Sequence, residues 1–349
     1  MSDHLLNVLL AKRELTVDEV REFAEVLLDE SVADEEKAGL LRALTAKGET
    51  ADEITAFVNC FLEKARKPDF SAVTDGYPTI DVCGTGGDKL DLFNVSTTSM
   101  FVIAAGGAKV IKHGNRGVTS LSGSSDVLQE LGIPMQASDE QLAQCLEQAN
   151  VCFLFAPQFH PAFKAVVGVR TLLAQEGIHT IFNLIGPLLN PASPQYQMVG
   201  VTMEARTADF AQILKNLGRE QVFAVTGHTD DGRPVDEFSN LGLNNLYKAK
   251  PHKDEIKLHP LTPAELGLPE ARLEEMAGGN PAENAETLRA ILSGEERGAK
   301  REIVLLNAGA GLACCNVVDR IEEGIALAAE LIDSGQALRQ LEALQSVFK

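Results

Sequence analysis

From Asp81 to Ser96 the chain reads Asp-Val-Cys-Gly-Thr-Gly-Gly-Asp-Lys-Leu-Asp-Leu-Phe-Asn-Val-Ser, and few folds can accommodate that order. The apolar run Thr79–Cys83 predicts a buried strand. It empties into Gly84, Gly86 and Gly87, after which Ser96-Thr97-Thr98 opens an apolar helix. Glycines without Cβ let backbone N–H groups approach a ligand closely, and a helix start adds unpaired N–H donors. Such a loop suits an anion, most often a phosphate. Asp88 would repel a bare phosphate, so the same pocket is expected to hold a metal ion or ribose hydroxyls as well. Three glycines alone also fit an ordinary turn between strand and helix, so the rest of the chain has to supply the chemistry.

Residues 1–67 read as helices only. Thr16-Val-Asp-Glu19 and Thr50-Ala-Asp-Glu53 have capping-box form, with Val20, Phe23, Val26, Leu27 and then Ile54, Phe57, Val58, Phe61 at helical spacing behind them. A third helix is expected over 31–47, stopped by Gly48. From Thr79 the pattern changes to short β-branched runs alternating with helices, the mark of an α/β domain with a mostly parallel central sheet. The expected strands are Thr79–Cys83, Ala108–Ile111, Val151–Phe155, Gln197–Val201, Val222–Thr226 and Ile303–Leu306. The division is thus a small all-helical N-terminal domain at 1–70 and an α/β domain at 71–349. A bundle so small holds little core of its own. The apolar faces around Leu5, Leu9, Val20 and Phe23 are therefore expected to pack on the larger domain or on a second copy, as a homodimer.

In such sheets ligands sit outside the carboxyl ends of the strands, so the loops there carry the candidate chemistry. Lys112 to Ser120 is expected to follow the second strand as a loop holding two fixed cations, an amide and hydroxyls. It leads through Ser122-Gly-Ser-Ser-Asp126 into a helix. His160-Pro161 precedes a helix carrying Lys164 and Arg170. Asp236-Glu237 is a carboxylate pair in a late loop, and paired carboxylates beside a phosphate loop suit Mg²⁺. Taken singly these are ordinary surface features: loop charges, a helix-capping histidine, a solvated acidic pair. Together, at strand exits, they point to one site.

Charge narrows the partners. Lys plus Arg number 31 against 50 Asp plus Glu, a net charge of −19, which disfavours nucleic acid and anionic membrane as bulk partners. The six cysteines show no Cys-x-x-Cys pair and read as buried free thiols of a reducing, cytoplasmic setting. No signal-peptide order and no bilayer-length apolar run is seen.

With those residues in place the sequence resembles the anthranilate phosphoribosyltransferase family. The likeness lies in Gly-Thr-Gly-Gly-Asp (84–88), Asn-Val-Ser-Thr (94–97), Lys-His-Gly-Asn-Arg (112–116), Gly-Ser-Ser-Asp-Val-Leu (123–128), Phe-Asn-Leu-Ile-Gly-Pro-Leu-Leu-Asn-Pro (182–191) and Val-Asp-Glu-Phe-Ser (235–239). The stretch 284–294 and Leu306-Asn-Ala add to it. The resemblance implies a nucleoside-phosphorylase-like (type III) phosphoribosyltransferase architecture, usually homodimeric through the helical domain. It implies phosphoribosyl pyrophosphate as donor, anthranilate as acceptor and Mg²⁺ as cofactor. Carried over by position, Gly84, Gly87, Asp88, Asn94, Ser96, Thr97, Lys112, Ser120 and Ser124 would hold the donor. Ser96, Asp236 and Glu237 would hold metal; Gly84, Asn115 and Arg170 would face anthranilate. Lys112 and Arg170 would act as electrostatic and positioning groups.

Three positions depart from the family's pattern. Leu92 stands where a Thr is usual, costing one donor hydrogen bond, roughly 0.5–1.5 kcal/mol. The segment Thr171–Thr180 is longer by about three residues, and His179 replaces a customary Arg; both lie beside the expected acceptor site. Competing readings are a phosphoribosyltransferase or nucleoside phosphorylase of the same fold acting on another acceptor, a non-catalytic binding paralogue, and a dinucleotide-binding oxidoreductase. The last lacks the third glycine after Gly84-x-Gly86.

Overall fold

The computed structural model describes residues 2–117, 121–251, 253 and 255–349. The chain forms two compact units. One comprises residues 1–67 with 157–191, the other residues 68–156 with 192–349. The first unit therefore takes in a later segment that a simple cut at residue 70 assigns to the α/β part.

In the first unit the helices Val17–Leu28 and Ala51–Glu63 begin at Thr16 and Thr50, each with a complete capping box. Helix Asp34–Lys47 starts three residues later than expected and ends at Gly48. Phe23, Phe57, Phe61, Phe163 and Phe182 stack in a chain of edge and offset contacts. This cluster joins the N-terminal helices to the segment 157–191. Leu5, Leu9, Val20 and Phe23 are all buried within the chain, none more than 1% exposed, so the expectation that they lack a core is corrected. Helix Ser2–Leu10 packs on helices Asp34–Lys47 and Val17–Leu28, and the second of these also packs on Pro161–Val166 of the later segment. Leu10 and Val17 are the apolar side chains left exposed on these helices.

The second unit is built on an eight-stranded sheet: β1 (Thr79–Gly84), β2 (Lys109–Gly114), β3 (Val151–Phe155), β4 (Tyr196–Gly200), β5 (Gln221–His228), β6 (Pro234–Val235), β7 (Asn244–Ala249) and β8 (Lys257–Leu261). Its order is β3-β2-β1-β4-β5-β7-β8, with β6 paired to β5. The first five strands run parallel and the last three antiparallel. Because β1 sends one connection towards β2 and the chain later returns to its other side as β4, the strand order reverses beside β1, where open α/β sheets leave a crevice.

Two expectations change here. Residues 303–306 are not a strand but lie inside helix Ala299–Cys314, which is buried on nearly every side. A helix apolar all round has no period to betray it. It packs through Gly309 and Gly311, where an added Cβ would meet Ile325 N at 2.5 Å and Ile103 Cδ1 at 2.4 Å. Strand β2 also runs on to Gly114, in register with Phe155 of β3, so Lys112 and His113 are strand residues rather than loop residues. All six cysteines are buried free thiols; Cys314 and Cys315, pushed to higher pKa by burial, serve packing. No helix among the described residues is long and apolar enough to cross a membrane.

Glu53 is the polar centre of the first unit. Its carboxylate accepts from Leu15 N (2.7 Å), Thr50 N (2.9 Å) and Lys47 Nζ (2.7 Å), with both charged side chains no more than 3% exposed. Removing one partner of a buried pair leaves the other charge unpaired in low dielectric. Glu53→Ala should therefore destabilise the protein by about 3–5 kcal/mol, read from the urea midpoint. Arg21→Ala, which breaks an exposed pair with Glu63, should leave that midpoint nearly unchanged.

Candidate active site

The carboxyl ends of β1, β4 and β5 carry Gly84, Gly200 and Gly227, and the Asp236–Ser239 segment lies directly across them. A Cβ on Gly84 would sit 2.2 Å from Asp236 Oδ2, on Gly200 1.6 Å from Asp236 O, and on Gly227 2.3 Å from Glu237 O. Only glycine lets that segment settle there. Asn307, fully buried, then clamps the backbone just beyond it: Phe238 N–H donates to Asn307 Oδ1 (3.0 Å), and Asn307 Nδ2 donates to Phe238 O (2.8 Å).

The loop after β1 closes over this pair. Gly86 N–H donates to Asp236 Oδ2 at 2.6 Å. Gly86 and Gly87 have φ of +74° and +87°, and nothing lies within 4 Å of a Cβ on either. Their need for glycine is conformational; crowding plays no part. Ser96 N–H, at the start of helix Val95–Ala105, donates to Glu237 Oε1 at 3.1 Å. Together these elements line a cavity of about 180 Å³ whose walls include Gly84, Gly87, Asp88, Asn94, Ser96, Ser124, Asp236 and Glu237. Lys89, Asp91, Leu92 and Ser122 also line it. Leu92, half-buried, also bridges Ala277 through its backbone.

Three carboxylates meet at this cavity with little positive charge. Burial raises Asp236 well above the usual carboxylate range, helped by the charges of Asp88 and Glu237. Burial likewise lifts Glu237 to about 7, against the opposing pull of Lys112 and the hydrogen bonds from Ser96. Asp88 is raised by burial too. Ser96, Asp236 and Glu237 all line the cavity, and their oxygens are of the type a divalent cation takes. No group of three or more His, Cys, Asp or Glu side chains among the described residues is arranged to hold a metal. A cation here would complete its shell with water and substrate oxygens, as Mg²⁺ usually does.

Other expected donor residues sit differently. Lys112 is 2% exposed and lies behind the cavity wall; its ammonium donates to the carbonyl of Val82 and to Ser96 Oγ. Its charge reaches Glu237, so it can support the carboxylate and orient the Ser96 hydroxyl. Thr97 is fully buried, is not on the wall, and its hydroxyl has no hydrogen-bond partner among the described residues. Ser120 lies outside the described residues.

The residues expected at the acceptor belong to different units, Gly84 and Asn115 to the second and Arg170 to the first. Asn115 is exposed just past β2, where its Oδ1 accepts from Arg116 N. Arg170 is exposed on helix Val167–Gln175, with its guanidinium 5.7 Å from the ring of Phe182 and no carboxylate partner among the described residues. The longer segment after it is anchored within its own unit: Arg42 grips Glu176 at 2.5 and 2.9 Å, and Thr45 Oγ1 donates to His179 O at 3.2 Å. His160 sits at the N-cap of Pro161–Val166 without a side-chain cap bond; its Nε2 bonds the Leu189 carbonyl at 2.9 Å instead.

Sequence reading gave no site role to Gly200, Gly227 or Asn307. Gly200 read only as part of the strand Gln197–Val201 and Asn307 only as part of the motif Leu306-Asn-Ala; the partner of Asn307 is 69 residues away.

Residues 3–65 match the glycosyl transferase family helical bundle domain, and residues 76–338 the glycosyl transferase family a/b domain. A relative from Shouchella clausii, anthranilate phosphoribosyltransferase, is 42% identical over 345 residues, covering 99% of this chain and 97% of the relative. The crystal structure of anthranilate phosphoribosyltransferase from Thermus thermophilus superposes with a TM-score of 0.87 at 37% identity, covering 99% of each chain. That from Saccharomyces cerevisiae in complex with PRPP and Mg gives 0.84 at 27% identity, covering 99% of this chain and 97% of the other. Helical-bundle and a/b models in sequence, and identity above 40% over almost the whole length, settle the assignment: the chain belongs to the anthranilate phosphoribosyltransferase family.

Proposed function

We propose that this protein transfers the phosphoribosyl group of phosphoribosyl pyrophosphate to the amine of anthranilate, giving N-(5-phosphoribosyl)anthranilate and diphosphate in tryptophan biosynthesis. The observation that carries the reading is the glycine-walled cavity at the end of β1, where half-buried Asp236 and Glu237 are held against the loop that would receive the donor. Support for Mg²⁺ comes from those carboxylates and from the yeast relative, whose complex contains PRPP and Mg. When bound, the metal would neutralise the departing diphosphate.

The chain's own groups account for the rest. Diphosphate leaving C1 puts positive charge on the ribose and negative charge on the leaving group. The loop Gly84–Asp88 and the helix start at Asn94–Ser96 line the cavity, and the Gly86 and Ser96 N–H groups hold Asp236 and Glu237 in place before the reaction begins. Lys112 holds Ser96 and Glu237 in place from behind. The aromatic amine is a weak nucleophile, so placing it against C1 matters more than deprotonating it. Arg170, with no carboxylate partner among the described residues, would grip the anthranilate carboxylate with paired hydrogen bonds. Exposed Leu10 and Val17 are the apolar groups available to a homodimer contact on the N-terminal helices.

Incubating the protein with the donor, Mg²⁺ and anthranilate should extinguish anthranilate fluorescence. Intact fluorescence, with another aminobenzoate or a nucleobase consumed, would replace anthranilate as acceptor. Asp236→Asn with Glu237→Gln should abolish most turnover at saturating Mg²⁺ while circular dichroism stays native. Arg170→Ala should raise the anthranilate KM about ten- to a hundredfold, the loss of a charge-assisted hydrogen bond, and leave the donor KM nearly unchanged. Light scattering at micromolar concentration should give the mass of two chains, and a monomer would remove the assembly from the proposal.

A further inference from the structure

Asn284 stands on helix Pro281–Leu292, which contributes no residue to the cavity wall. It is 3% exposed, and one of its side-chain hydrogen bonds reaches a residue of the cavity wall. Its Oδ1 accepts from Gly279 N–H (2.8 Å), while its Nδ2 donates to Gly279 O (3.3 Å) and to Asn94 Oδ1 (2.9 Å). Asn94, on the wall, in turn donates from Nδ2 to Ser122 O at 3.1 Å. A backbone N–H can only donate, so Gly279 fixes which end of the Asn284 amide is oxygen. That choice turns the Asn284 nitrogen on Asn94 Oδ1, and thereby turns the Asn94 nitrogen on Ser122.

The same strip of chain is tied to the donor loop by backbone. Gly278 N–H donates to Asp91 O (2.7 Å) and Phe93 N–H to Met276 O (3.3 Å). A Cβ on Gly278 would lie 2.7 Å from Leu92 O. The segment 276–279 is thus laid along 91–93, and Asn284 locks its far end to Asn94.

We infer that Asn284 is a positioning residue for the donor: through a one-way amide relay it sets the rotamer of Asn94 and joins two walls of the cavity, the one at Asn94 and the one at Ser122–Ser124. The inference rests on the proposed use of this cavity for phosphoribosyl pyrophosphate. Its sharpest probe is Asn284→Asp, which keeps size and shape but puts a carboxylate oxygen against Asn94 Oδ1. Two acceptors cannot bond, so the Asn94 amide must turn over and abandon Ser122 O.

The experiment measures donor affinity by calorimetry with phosphoribosyl pyrophosphate and Mg²⁺, and the donor and anthranilate KM values, for wild type, Asn284→Asp and Leu288→Ala. Leu288 is fully buried on the same helix and controls for general loosening. Expected are a donor Kd and KM raised about tenfold in Asn284→Asp, the loss of one buried hydrogen bond, with the anthranilate KM held. Leu288→Ala should lower Tm at least as far while keeping the donor KM. A donor KM unchanged in Asn284→Asp, or raised equally in Leu288→Ala, overturns the positioning role while leaving the functional reading intact. A wild-type protein that takes no donor overturns both.

Discussion

The backbone of Asp236 and Glu237 passes so close to three strand ends that no side chain fits between them. This approach is the constraint on which the site depends. It leaves two carboxylates half-buried on the cavity wall, where desolvation raises the proton affinity of both and the charges of Asp88 and Glu237 raise that of Asp236 further. It also puts Asp236 within reach of the Gly86 amide, so the loop after β1 folds onto the carboxylates. The parallel sheet supplies the geometry: Gly84 and Gly200 are register partners at the ends of adjacent strands, and the omitted Cβ atoms form one contiguous trough.

Around that trough the structure is held by long-range polar clamps. Lys112 reaches from β2 to the carbonyl of Val82 on β1 and the hydroxyl of Ser96. Asn307 brackets Phe238, and Asn284 brackets Gly279 while holding Asn94. Each is a buried polar side chain with its hydrogen bonds met, the condition under which such groups confer a single arrangement rather than cost stability. The cavity's shape is therefore set largely by residues that do not line it.

Much of this was legible in the sequence, for stated reasons. The capping boxes at Thr16 and Thr50 and the strand from Thr79 are local signals, and local signals survive folding. The glycine loop and the Asp236–Glu237 pair were readable because their residue types have few other uses in that order. What failed was non-local. Lys112 read as a loop cation because nothing in its neighbours tells that Val82, Ser96 and Glu237 will surround it inside a strand. Residues 303–306 read as a strand because a helix buried on all sides shows no period. Leu5, Leu9, Val20 and Phe23 read as short of core within the helical bundle partly because Phe163 and Phe182, which extend the aromatic cluster begun by Phe23, lie more than 130 residues further on.

The most direct test of the dependence on close backbone approach is donor binding to Gly200→Ala. The added methyl carbon has only 1.6 Å to the Asp236 carbonyl oxygen, so the Asp236–Glu237 segment must move away from the strand ends. Gly200 itself is not on the cavity wall. Calorimetric titration with phosphoribosyl pyrophosphate and Mg²⁺ should show donor affinity lowered by at least about tenfold, equivalent to about 1.4 kcal/mol, in a protein whose far-ultraviolet circular dichroism is unchanged. Wild-type affinity in the folded Gly200→Ala protein would contradict the claim that this approach builds the site.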